Sequence, residues 1–134
     1  MSDKDKNIPN PRNLKYTKDH EWVRIEADGT AFIGITDFAQ SQLGDIVFLD
    51  VPKAGKILKQ FEKFGEVESV KSVSDLFTPV SCEVIDINKQ AIAQPELVNK
   101  EPFSDGWILK VKVKDSSEVA SLLSAQEYDG LTGK

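Results

Sequence analysis

The 134 residues include only one cysteine, one histidine and one methionine. The lone thiol, Cys82, has no partner for an intrachain disulfide, which fits a reducing compartment. No spacing joins His20 to Cys82 or to a serine as a nucleophile–base pair. H-E-x-x-H, C-x-x-C, G-x-G-x-x-G and the Walker loop are all missing, so zinc hydrolysis, thiol redox chemistry and nucleotide binding lack their signatures. No apolar run approaches the roughly 18 residues of a membrane span. Basic residues are outnumbered 17 to 22, and the net charge of −5 argues against binding a phosphate backbone. These absences argue against a self-contained active site, which needs nucleophile, base and stabiliser together. They suit a soluble protein that docks transiently on larger partners.

What is present reads as one β-rich domain. Met1 to Asn13 are polar, carry Pro9 and Pro11, and lack the apolar centre of a signal peptide. Asp3 and Asp5 are unlike a mitochondrial transit peptide. This stretch is expected to be a disordered arm, with a single domain over residues 14–134. Val23 and Ile25 alternate with charged residues over Glu21–Glu26, Asp28-Gly29 marks a tight turn, and Thr30–Ile35 returns as the partner strand. Asp37–Leu43 reads as a short helix capped by Thr36 or Asp37 and ended by Gly44. Further strands are expected over Ile46–Val51, Ile57–Leu58, Phe64–Val70, Leu76–Val80 and Glu83–Ile87. Pro95 suits the first position of a helical turn over Gln94–Asn99. In the strand Trp107–Lys114, Trp107, Leu109, Val111 and Val113 share one face and Lys110, Lys112 and Lys114 the other. Asp115 with Glu118, then Ser124 with Glu127, look like capping pairs for Ser116–Leu123 and a second, shorter helix. The expectation is a sandwich or barrel with short helices appended at the C-terminus.

One lysine stands apart by position. Lys71 opens the polar tip Lys71–Asp75 between two strand candidates, held out on two stiff arms. A Schiff-base lysine needs burial or a neighbouring cation to shed its proton. Glu68 and Asp75 would act in the opposite sense. The site suits acylation by another enzyme, and equally an ordinary surface lysine on a hairpin.

The order of motifs separates those readings. Glu68-Ser69-Val70-Lys71, followed by Ser74-Asp75, resembles the lipoylation hairpin of the glycine cleavage system H-protein family. Tyr16 to Val23 is similar to that family's opening strand, and Gly34 to Gln40 with Leu43 to Phe48 to its second block. Pro95 to Asn99 and Gly106-Trp107 complete the order, so the resemblance spans Leu14 to Tyr128. It implies a mainly β hybrid barrel-sandwich of the lipoyl/biotinyl carrier type, with lipoate in amide linkage on Lys71. Glu68, Ser69 and Val70 would form the attachment motif.

The partners it implies are glycine decarboxylase (P protein), aminomethyltransferase (T protein), dihydrolipoyl dehydrogenase (L protein) and a lipoate ligase or lipoyl/octanoyl transferase. It also implies a monomeric, non-catalytic carrier in the cytoplasm, or in the mitochondrial matrix for a mature eukaryotic chain. Glu21, Asp75 and His20 occupy the positions that would shelter the cationic aminomethyl cargo. Asp19 stands where some relatives have serine, Cys82 where glycine is usual, and Phe103 where tyrosine is usual. A lipoate-relay protein would use the same motif. A biotin carrier would set its lysine between methionines, and the only methionine is Met1.

Overall fold

The alternation in the first strand pair sets its register. In the computed structural model, which describes residues 8–133, β2 (Glu21–Ile25) pairs antiparallel with β3 (Thr30–Ile35), placing buried Val23 opposite buried Ile33. Gly29 makes the turn at φ 87°, a backbone conformation that glycine adopts without strain. The Asp28 carboxylate accepts from the Thr30 amide and hydroxyl there. β1 (Lys15–Tyr16) adds to one side of β2, and β9 (Leu109–Val113) pairs with β3. β8 (Cys82–Ile87) and β5 (Ile57–Leu58) complete a six-stranded antiparallel sheet in the order β1-β2-β3-β9-β8-β5.

β4 (Ile46–Asp50), β6 (Lys63–Ser69) and β7 (Val73–Phe77) form a second sheet with β6 in the centre. The main core lies between the two sheets. Val23, Ile33, Val84, Leu109 and Val111 come from the larger one, and Ile46, Leu49, Val67 and Leu76 from the smaller. Burial of each such side chain contributes about 1.5–3 kcal/mol. The larger sheet also buries part of its other face. Tyr16 and Trp22 pack there with Leu14, Ala125 and Tyr128. The result is the expected mainly β sandwich with short helices.

Several short helices close its ends. α1 (Asp37–Leu43) is capped by Thr36, whose hydroxyl accepts from the Ala39 amide, and stops at Gly44 with φ 82°. α2 (Lys89–Ala93), unanticipated in the sequence, is capped by Asn88, and α3 (Glu96–Lys100) follows with Pro95 one position before its start. Asn99 fastens α3 to its neighbours. Its amide donates to the Gly44 carbonyl and the Gln40 side chain, and its Oδ1 accepts from the Ile46 amide.

Four local expectations give way to tertiary structure. β7 begins at Val73, not Leu76, because the turn closes sooner and Thr78-Pro79 ends the ladder; Thr78 Oγ1 turns back to donate to the Val80 carbonyl. Trp107 precedes its strand and packs edge-on against Phe32, so it does not share the buried face of Leu109 and Val111. Residues 116–121 form a 3-10 helix capped by Asp115, while Glu118 leaves the expected capping pair to accept from the Ser81 amide and hydroxyl, both at 2.7 Å. The capping box of Ser124 and Glu127 forms, but its helix, α4 (Ala125–Thr132), is the longer of the two.

Residues 1–7 of the arm expected to be disordered lie outside the described residues. Residues 8–13 are fastened down: Asn10 donates to Asp129, Arg12 pairs with the same carboxylate, and the Pro11 carbonyl accepts from Tyr16.

Candidate functional site

Two serines build the tip that presents Lys71. The Ser69 amide donates to the Ser72 carbonyl at 2.8 Å, closing a turn with Val70 and Lys71 at its corners. Ser69 Oγ sits inside that turn and accepts from the amides of Lys71 and Ser72. The Val70 amide donates to the Asp45 carbonyl, pinning the tip to the start of β4. The four amides from Ser69 to Ser72 are thus all satisfied, and the Lys71 side chain is left exposed. Among the described residues no ion pair engages its ammonium. Its stem passes over Gly44: a Cβ built there would lie 3.7 Å from Lys71 Cε.

The segment expected to be the attachment motif is therefore a local unit. Ser69 is buried and holds the turn, Val70 stands exposed beside the lysine, and Glu68 projects outward on β6 opposite Val73. Asp75 is not on the tip. It lies on β7 opposite Glu66, and its carboxylate pairs with Lys63 at 3.1 Å. Lys63 also meets Glu66 at 2.9 Å, and these partners raise its pKa.

Glu21 is buried at the start of β2, with 1% of its surface exposed. Oε1 accepts from the Thr17 hydroxyl at 2.5 Å and Oε2 from the Phe77 amide at 3.1 Å. Desolvation lifts its pKa from 4.5 to about 7, against the lowering effect of those two bonds. Glu21 and Asp75 are brought to the same hairpin strand, since Asp75 belongs to β7 and Glu21 binds the amide of Phe77 at its end.

His20 adopts φ 75°, a left-handed conformation uncommon outside glycine, and closes a turn by donating its amide to the Thr17 carbonyl. Its Nδ1 lies 2.7 Å from the Tyr128 hydroxyl, which is also 2.7 Å from Thr36 Oγ1. Its ring packs on Phe38 of α1 with centroids 4.7 Å apart. Burial lowers the His20 pKa, opposed by Asp19, so the imidazole favours its neutral form. Burial also raises the Tyr128 pKa to about 12, so its hydroxyl stays protonated.

The sequence reading missed three supporting residues. Thr17 lies four positions before Glu21 and carries a short polar side chain, a weak signal for a local hydrogen bond. Phe77 acts through its backbone and Tyr128 from the far end of the chain, so neither left a signal. Cys82 is buried, its thiol 3.7 Å from Thr78 Oγ1 and its pKa pushed up by burial, as for a packed, unreactive thiol. Among the described residues no cluster of His, Cys, Asp and Glu could hold a metal ion, and no helix is long and apolar enough to cross a membrane.

The sequence model of the glycine cleavage H-protein family matches residues 14–134. A glycine cleavage system H protein of Bacteroides thetaiotaomicron is 51% identical over 118 residues, covering 88% of this chain and 93% of that one. One from Marinobacter nauticus is 52% identical over 118 residues, covering 88% and 91%. The crystal structure of a glycine cleavage system H protein from Mycobacterium marinum superposes with a TM-score of 0.84 at 37% identity, over 93% of this chain and all of that one.

Proposed function

The chain belongs to the glycine cleavage H-protein family, the lipoyl-carrier component of the glycine cleavage system, and on that premise we propose that lipoate is carried in amide linkage on Lys71. The loaded protein takes the aminomethyl group from glycine decarboxylase to aminomethyltransferase, with reoxidation by dihydrolipoyl dehydrogenase, and has no catalytic centre of its own. A lipoate ligase or a lipoyl/octanoyl transferase attaches the group, and the work is done in the cytoplasm. The observation that carries this reading is the turn itself. Ser69 and Ser72 close it so that Lys71 alone of its charged groups is offered outward, with its stem over a glycine.

When bound, lipoate supplies a disulfide that accepts a carbon fragment and two electrons. The protein residues orient and shelter. Ser69 fixes the direction of the arm by holding two consecutive amides. We assign Glu21 to the cationic cargo as counter-charge, because a carboxyl group with a pKa near 7 ionises readily against an arriving cation. Asp75 offers a second carboxylate, which exchanges its Lys63 partner for the cargo. His20 contributes through its remaining ring edge, since Nδ1 is held by Tyr128 and one face by Phe38.

Intact-mass analysis of protein from a lipoate-competent host should show one lipoyl increment, mapped to Lys71 by peptide mass. Lys71→Arg should fold normally and support no glycine–bicarbonate exchange. A bare Lys71 after full exposure to ligase, lipoate and ATP, or exchange retained by the variant, would end this reading.

A further inference from the structure

Four exposed apolar side chains lie on the strands and the turn that lead to Lys71. Val47, Phe48, Val70 and Val73 are 48%, 54%, 69% and 57% exposed. β6 pairs Glu68 with Phe48 on one side and with Val73 on the other, so these three form a row across the outer face of the smaller sheet. The inner face of the same strands is filled by Leu49 and Val67, so this row is not part of the core. An irregularity between Ile46 and Phe48 turns Val47 outward as well. Val70 stands at the turn beside Lys71, its amide fixed on Asp45. The fold gains little from holding an aromatic ring and three valines in water, and such a cluster marks an interaction surface.

We propose that Phe48, with Val47, Val70 and Val73, is the docking footprint of the enzyme that acylates Lys71. The proposal rests on the lipoyl reading above and names where that partner sits. The reacting atom selects the occupant. The Lys71 nitrogen must approach an activated acyl carbon to within about 3–3.5 Å, so the enzyme necessarily covers the tip and what adjoins it. The free amine attacks the carbonyl of an acyl adenylate, the amide C–N bond forms, the C–O bond to AMP breaks, and the amine proton leaves to a base on the enzyme.

Charge on the patch defines the partner further. Glu68 stands within the row between Phe48 and Val73, Asp45 and Asp50 are exposed near it, and the whole chain carries −5. The complementary surface is an apolar socket with a basic rim, placed at the mouth of the acyl site. Charges steer the encounter and the Phe48 ring anchors it.

The test is lipoylation of the full chain by a lipoate–protein ligase with lipoate and ATP, comparing Phe48→Ser and Val47→Ser/Val73→Ser with the native protein. Ile57→Ser, equally exposed on β5, is the control. All variants should melt within a few degrees of native. The patch variants should lose about tenfold or more in kcat/KM, mainly through KM, while Ile57→Ser matches native.

Native-like rates in the patch variants overturn the footprint and leave the lipoyl reading standing. Unchanged acylation with lost self-association, read by sedimentation at the assay concentration, gives the face to a second copy and overturns it too. Unchanged acylation with a defect only in glycine–bicarbonate exchange assigns the patch to the later enzymes and likewise overturns the footprint. If the native chain accepts no lipoyl group, the lipoyl reading falls and takes the footprint with it.

Discussion

The Phe77 amide donates to Glu21 Oε2 at 3.1 Å, so one buried carboxyl group ties the first strand pair to the hairpin that bears Lys71. The other oxygen of that group holds Thr17, whose hydroxyl also accepts from the amides of Asp19 and Glu21. Loop, strand and hairpin therefore meet on a single titratable side chain. A neutral or a charged acid there is a structural choice, and its raised pKa places that choice near neutrality.

A pH dependence of stability follows, with a defined sign. Glu21 is protonated more readily folded, at about 7, than unfolded, near 4.5. Between those values the native state binds more protons, so stability falls as pH rises. The contribution is fully present below about pH 4.5 and lost as pH climbs through 7. A shift of this size corresponds to roughly 2–4 kcal/mol. Glu21→Gln removes the titration while keeping an oxygen for the Phe77 amide. The variant should be more stable than native at pH 8 and should lose the fall in stability that Glu21 contributes between about pH 4.5 and 7. Urea unfolding at fixed pH intervals measures both, and parallel curves for the two proteins would refute the assignment.

Ser69 is predicted to matter through geometry. Ser69→Ala removes the acceptor for the Lys71 and Ser72 amides while leaving the backbone bond from Ser69 to Ser72. A stability loss of about 1 kcal/mol is expected, since the turn is near solvent and water can replace part of the lost bonding. Amide exchange at Lys71 and Ser72 should quicken, and lipoylation should slow while the melting point moves by only a few degrees. Protection unchanged at both amides would show that the hydroxyl does not hold the tip.

Periodicity made much of the frame legible. Val23, Leu109 and Val111 are each followed by a basic residue on the opposite face, and that alternation survives because each strand has one face on the core. The caps at Thr36 and Ser124 were readable for the same local reason, a short oxygen-bearing side chain before a helix. The errors came where distant residues intervened. Glu118 has the spacing of a capping pair, yet Ser81 offers it two donors from another part of the chain. Trp107 has strand alternation, yet Phe32 draws it to the opposite side. At the site, Lys71 was visible by position and Glu21 by motif. The burial of Glu21 and its bond to a backbone amide 56 residues away belong to the tertiary fold alone.

Tyr128 should prove to be a clasp between the C-terminal helix and the site. Its hydroxyl lies between His20 Nδ1 and Thr36 Oγ1, and its ring stacks on Tyr16 with centroids 4.7 Å apart. Tyr128→Phe keeps the stack and removes both polar contacts. Thr36 still caps α1, but its hydroxyl loses a buried partner. A loss of about 1–3 kcal/mol is expected, with faster amide exchange across Ala125–Thr132. Chemical denaturation and exchange mass spectrometry read these effects separately. A variant as stable as native would place the hydroxyl outside the energetics of the fold.

Gly65 sets how closely β4 approaches β6. A Cβ built there would lie 2.0 Å from the Asp50 carbonyl oxygen and 3.1 Å from its carbon, both backbone atoms that cannot rotate away. The β6–β7 ladder is irregular at the same place, between Lys63 and Gly65. Gly65→Ala must therefore push β4 off β6, opening the row that pairs Leu49 with Val67 in the core. Overpacking of this kind costs about 1–3 kcal/mol, and rigid backbone on the far side puts the expected value at the upper end. Calorimetry should show a melting point lowered by several degrees. Because Lys71 is presented by the far end of the same strand pair, lipoylation should slow even at temperatures where the variant is fully folded. Full stability with a native lipoylation rate would mean that the two strands can separate without disturbing the tip, and that the tip is set by its own turn and by Asp45 alone.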